Sequence, residues 1–159
     1  MIRSVIAPLL LFLPVAIHGA AAAQITPASY CRQVGGDDTL RPVPPLLAPA
    51  VIRLFHLGAM PAAQVSRSTS FRCAEHQVLV CTVGANLNCG KADTRRNLPA
   101  VDAWCAGHPG SSNVPAYVTG HATIYLWRCD GPRPVAAQSA LSVDERGFVS
   151  QNWKRIGSE

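Results

Sequence analysis

Apolar and polar positions alternate in several short runs along the second half of this chain, and helical spacing appears only in brief stretches. "STSFRC-AEHQ-VLVCTV" reads as two β-rich runs joined by about four residues, a hairpin. With Cys73 set opposite Val78, the side chains of Phe71, Cys73, Val78 and Val80 share one face, and Arg72, Leu79 and Cys81 share the other. "HATIYLWRC" alternates in the same way, with Tyr125, Trp127 and Cys129 on one side and Ile124, Leu126 and Arg128 on the other. "DGPR" then turns the chain, and "PVAAQSALSV" and "GFVSQNWKRI" read as two further strands joined through "DERG".

Two segments carry helical spacing. In "PAVIRLFHLG", Pro49 suits a first turn, Val51, Leu54 and Phe55 fall on one face, and Gly58 can end the helix. In "NLPAVDAWCAGHPG", Asn97 can cap, Pro99 sits in the first turn, and Gly107 and Pro109 close the helix. Val101, Trp104 and Cys105 then line one face, which buries Cys105. The expected fold is α+β, an antiparallel sheet of about five strands with one or two short helices, stabilised by disulfides. One internal echo stands out. "FRC-AEHQ-VLV" and "WRC-DGPR-PVA" share aromatic-Arg-Cys, a four-residue turn and an apolar run, which predicts two hairpins of similar build.

The first 23 residues stand apart. Arg3, an apolar run from Val5 to Ile17, and Ala21-Ala22-Ala23 have the layout of a secretory signal peptide with an A-x-A cleavage site. The mature chain would begin near Gln24. Residues 24–64, rich in Pro and Gly, are expected as an arm or lid with one short helix, and residues 65–159 as the cysteine-stapled domain, the whole forming one globular unit. The leader implies a periplasmic or secreted protein, and no later stretch reads as a membrane span.

Export changes how the six cysteines are read. Cys31, Cys73, Cys81, Cys89, Cys105 and Cys129 all lie in the mature part, where an oxidising compartment makes disulfides the default. Many pairings are open. Cys73 with Cys81 is disfavoured because the two point to opposite faces of the hairpin, and Cys89 with Cys105 is the favoured guess.

"VGANLNCGKAD" has the outline of a phosphate loop and fails its spacing. Five residues instead of four separate Gly84 from Gly90, and Ala92 replaces the hydroxyl residue that would hold magnesium. A zinc site is not expected, because there is no C-x-x-C or close Cys/His pair and His56, His76, His108 and His121 are scattered. "GGDDTL" offers one Asp pair toward calcium and little else. No catalytic residue is assigned and no cofactor is expected. A small secreted hydrolase could bring His121 together with Asp102 or Ser112 across the fold, a combination that any domain of this size offers.

The net charge of +5 falls to +4 when the leader takes Arg3 away, compatible with an anionic envelope component. A protein partner is the other expectation, and nucleic acid is not expected. The candidate binding residues are Lys91, Arg95 and Arg96, clustered beside a cysteine, with Arg72 and Arg128, which precede equivalent cysteines on the two hairpins. If both hairpin arginines leave a sheet on the same side, they form an anion-binding face.

"YCRQVGGDDTLRPVP", "VLVCTVGANLNCGKADTRRNLP", "TGHATIYLWRC" and "DERGFVSQNWKRI" together resemble a group of small exported bacterial proteins with no assigned function. That resemblance implies an envelope or secreted location and a shared cysteine framework, and transfers no activity. "F-x-C" opening one strand and "TG…T-I-Y…W" in a later one are also similar to small β-barrel lysozyme inhibitors of the bacterial envelope, although the "SG-x-x-Y" loop that would carry inhibition is missing. The expected function is an exported, non-enzymatic binding or interaction domain, with a lysozyme-type inhibitor and a small hydrolase as alternatives.

Overall fold

The structure, a computed structural model, describes residues 25–84, 87–139 and 141–157. The expected signal peptide and cleavage site lie outside the described residues, as do Ala85 and Asn86 of the "VGANLNCGKAD" stretch. Among the described residues no helix is long and apolar enough to cross a membrane.

The chain enters through helix α1, Pro27–Val34. Thr26 and Ser29 form a reciprocal capping box, with Pro27 opening the first turn. Gly35 ends the helix at φ 73°, a conformation that favours glycine. Strand β1, Asp37–Pro42, follows. The sequence places this stretch in the Pro/Gly-rich arm, where no strand is expected, and Asp-Asp-Thr and proline are indeed poor strand formers. An edge strand tolerates them, since one side of it needs no ladder partner. A 3-10 turn at Pro45–Leu47 leads into α2, Ala48–Phe55. It ends at His56, which takes the left-handed conformation (φ 55°) two residues before the expected Gly58. Helix α3, Ala62–Ser68, which the sequence reading missed, leads directly into the first hairpin.

That hairpin is strand β2, Thr69–Ala74, with β3, Gln77–Thr82. Its register is the expected one, with Cys73 opposite Val78 and Arg72 opposite Leu79. Glu75 and His76 turn the chain with φ of 52° and 62°, the two-residue geometry that matches strand twist and usually asks for Asn-Gly. The end of α1 holds this strained turn. The His76 backbone N–H donates to the Gly35 carbonyl at 2.7 Å, and its Nδ1 lies 3.1 Å from the Arg32 carbonyl. A carbonyl can only accept, so Nδ1 carries a proton there.

Helix α4, Pro99–Gly107, starts from Leu98, which makes no side-chain cap, and exposed Asn97 does not cap it. A one-turn helix α5, Ala116–Thr119, precedes the second hairpin, β4, Tyr125–Asp130, and β5, Arg133–Ser139. The chain closes with a 3-10 turn at Ser150–Asn152 and a two-residue strand β6, Lys154–Arg155. "GFVSQNWKRI" is therefore mostly loop. Phe148 and Trp153 are both buried, but polar Ser-Gln-Asn between them breaks the alternation.

The fold is α+β with two antiparallel sheets, one of four strands in the order β1-β2-β3-β6 and one of two, β4-β5. The expected single sheet of about five strands is divided because β6 closes the edge of the first sheet, leaving β4-β5 paired only with each other. Residues 25–64 do not rest on the surface as a lid. Cys31, Val43, Ala48 and Val51 share one buried cluster with Phe71, Cys73, Val78 and Val80 of the first hairpin. A second cluster packs Leu98, Val101 and Cys105 against Trp127 and Cys129. A third, on the other face of the first sheet, joins Cys81, Cys89, Phe148 and Trp153.

Three disulfides hold these parts, Cys31–Cys73, Cys81–Cys89 and Cys105–Cys129. All six cysteines are paired. The expected Cys89–Cys105 bridge is replaced. Cys89 turns back onto the strand it has just left, and the inner face of α4 presents Cys105 to β4. The hairpin echo is real in its build. Cys73 and Cys129 occupy the same place in their hairpins, opposite Val78 and Pro134, and each is bridged to a helix earlier in the chain.

Candidate binding site

The arginine face expected from the two hairpins does not form, although the hairpins match. Arg72 lies in the first sheet and is 1% exposed, while Arg128 lies in the second sheet and is exposed. The difference comes from what covers each strand. The segment around Asp144 to Trp153 lies over the outer face of β2, whereas the outer face of β4 is open, with Leu126 61% exposed.

Arg72 is held in three ways. Its Nη2 donates to Asp144 in an ion pair, and its guanidinium carbon lies 4.1 Å from the Phe148 ring centre and 4.8 Å from that of Trp153. Lys91 joins the same cluster from the disulfide-held loop. Its Nζ is 5.3 Å from the Phe148 centre and 2.9 Å from Asp38, which also accepts from Arg146. Of the expected basic residues, the structure thus brings Arg72 and Lys91 to one aromatic ring. Arg95 folds back onto its own Asp93 at 2.6 Å, and Arg96 lies 4.4 Å over Tyr125.

The two aspartates of "GGDDTL" are committed to cations and donors. Asp37 accepts from the Tyr30 hydroxyl and the Thr39 backbone and pairs with Arg41 at 2.8 Å. The Tyr30 bond, with the Thr39 bonds, holds the Asp37 carboxyl well below the usual range, and the same Tyr30–Asp37 bond pushes the Tyr30 hydroxyl up. Partial burial works against ionisation of Asp38, but hydrogen bonds from Lys91 and Arg146 outweigh it and lower its pKa. Among the described residues no group of His, Cys, Asp and Glu is arranged to hold a metal ion.

The described part of "VGANLNCGKAD" from Leu87 onward is stapled to β3. Cys89 is bridged to Cys81, Asn88 Oδ1 accepts from the Gly90 backbone at 2.8 Å, and Asn152 donates to the Asn88 carbonyl at 2.9 Å. No helix opens at Lys91, and the next one begins at Pro99. The backbone-to-helix geometry that cradles phosphate is therefore missing. His121, Asp102 and Ser112 are each exposed, and no hydrogen bond joins them.

Two concavities flank the β2–β3 hairpin, and Glu75 at its turn borders both. On the core-facing side lies an apolar cleft of about 450 Å³. Pro27, Pro44, Leu46, Leu47, Val78 and Ile156 wall it, with Arg32, Glu75 and His76 at the rim. Leu46 is 79% exposed beside it, on the 3-10 turn that two prolines hold in place. On the other side lies a polar pocket of about 550 Å³ that includes Arg72, Asp144, Ser150, Trp153 and Arg155. The sequence reading named Arg72 but missed the cleft. The only hint was "PPLL", an apolar pair beside prolines that no periodic face requires. No family model matches the chain, and neither a curated protein nor a solved structure is similar to it.

Proposed function

We propose that this chain is an exported, non-enzymatic binding domain of the bacterial envelope, and that the apolar cleft between α1, the 3-10 turn and β3 receives the apolar part of its ligand. The observation that carries this reading is the cleft itself. A concave volume of about 450 Å³ with mostly aliphatic walls and a few polar groups at the rim has the size and character of small-molecule sites. Arg32 at the rim would face an anionic head group. Three disulfides in one small domain agree with an oxidising exterior.

The test is titration of the oxidised protein from Gln24 onward with an apolar fluorescent probe, 1-anilinonaphthalene-8-sulfonate, and with envelope lipid extract competing for it. Saturable uptake is expected. Leu46→Arg and Ile156→Arg should each weaken it about tenfold or more, the loss of one aliphatic contact to the probe. Leu46→Arg, at a side chain 79% exposed, should do so without lowering thermal stability, whereas Ile156 also packs against the core and its replacement should lower it. No saturable uptake, or uptake indifferent to both substitutions, ends the proposal. Inhibition of lysozyme by the same preparation, untouched by the cleft variants, would move the assignment to the inhibitor alternative.

A further inference from the structure

We infer that the polar pocket on the other face of the β2–β3 hairpin is a second ligand site, built to take a small oxyanion, a carboxylate or phosphate group. It does not depend on what fills the apolar cleft.

The argument starts from unpaired donors. Arg72 is 1% exposed, yet its Nε and Nη1 have no hydrogen-bond partner, and only Nη2 is engaged, by Asp144. Trp153 is 8% exposed, and its indole Nε1 is likewise unpartnered. Both residues line the same pocket. The Phe148 and Trp153 rings attract the cation through their π clouds. That attraction does nothing for N–H bonds that need an acceptor, and buried donors of a charged group are costly to leave unmet. Oxygen acceptors carrying negative charge are the natural complement to guanidinium and indole N–H groups together.

The rim supports the same ligand. Arg146 and Arg155 line the opening with side chains 41% and 53% exposed, and Ser150 adds an exposed hydroxyl. The acids nearby are mostly occupied. Asp144 already accepts from Arg72 and from the Arg146 and Phe148 backbone N–H groups. Glu75 holds Arg155 at 3.3 Å with its own side chain 82% exposed. Such a loose, exposed pair is worth little, so an incoming anion can exchange for Glu75 on Arg155. Glu145 also lines the pocket and would select against ligands of high negative charge.

The experiment follows the Trp153 Nε1–H and Arg72 Nε–H resonances by 1H–15N NMR in the oxidised protein, titrated separately with acetate, inorganic phosphate and chloride. Trp104 is the internal control, because its Nε1 is also buried and unpartnered but it does not line this pocket. Both pocket signals are expected to shift saturably with one shared dissociation constant, for an oxyanion and not for chloride, while Trp104 stays still. The stronger of the acetate and phosphate arms identifies the group. Arg155→Gln and Ser150→Ala, both at exposed positions, should each weaken the response about tenfold, the value of one charge-assisted hydrogen bond. Signals that stay fixed at tens of millimolar oxyanion, or that show contact with trapped water alone, would overturn the proposal and leave Arg72 a sealed clamp. Uptake of the apolar probe in the first cleft is read separately, so failure here leaves that assignment standing.

Discussion

Arg72 and Asp144 lie 72 residues apart in the chain and meet as an ion pair under the closing segment of the fold. Arg72 is 1% exposed and Asp144 27%, so the arginine has surrendered almost all its water to a partner that keeps some. Removing that partner leaves a buried charge without a counter-ion. Asp144→Ala should cost about 3 kcal/mol, the low end for breaking a buried pair because the acid is part-exposed. Urea unfolding of the oxidised protein measures it. Arg72→Met added to Asp144→Ala should recover part of the loss, since no charge is then left buried. A single-variant loss below about 1 kcal/mol would place the pair among surface bridges.

Acid should loosen the protein through its aspartates. Asp37, Asp38 and Asp93 all have lowered pKa values, the last through its bond from Arg95. Each binds its proton less readily folded than unfolded. Their contribution is therefore complete above the unfolded aspartate pKa of about 4 and is lost as the pH falls through the lower folded values. The urea midpoint should fall between pH 7 and about pH 3, and Asp37→Asn should shrink that fall. A midpoint unchanged by acid would remove these carboxylates from the stability of the fold.

His56 ends α2 with φ 55° and an exposed side chain. A residue with a Cβ pays for that conformation, and glycine does not. His56→Gly should raise stability by up to about 1 kcal/mol, visible as a higher melting temperature. A lower one would show that the imidazole contributes a contact of its own.

The three bridges close loops of different length, with separations of 42, 24 and 8 residues. Paired Cys→Ala replacement should therefore cost about 4, 3.5 and 2.5 kcal/mol for Cys31–Cys73, Cys105–Cys129 and Cys81–Cys89 in turn. Denaturation of the three double variants gives the order. The reverse order would assign the stabilisation to packing around the sulfur atoms instead of loop closure.

What the sequence made legible is what local rules control. Alternation and a four-residue turn fixed the Cys73–Val78 register, and Pro99 and Gly107 bounded α4. Strand β1 was hidden because edge position, a tertiary fact, overrides the poor strand propensity of Asp37 and Asp38. The bridges were hidden because Cys105 chooses between partners by how α4 packs, which spacing does not encode. Arg72 was visible as a charge but not as a buried one, since the segment that covers it arrives some seventy residues later. The apolar cleft was the least legible part. Pro27, Leu47, Val78 and Ile156 come from four separate stretches and share no period.

The bridges also follow a simple order along the chain. The first cysteine joins the second, the third joins the fourth, and the fifth joins the sixth, with no bridge enclosing or crossing another. A chain that emerges N-terminus first can thus complete each pair before the next pair emerges. An oxidant that links thiols in order of arrival yields the native set directly.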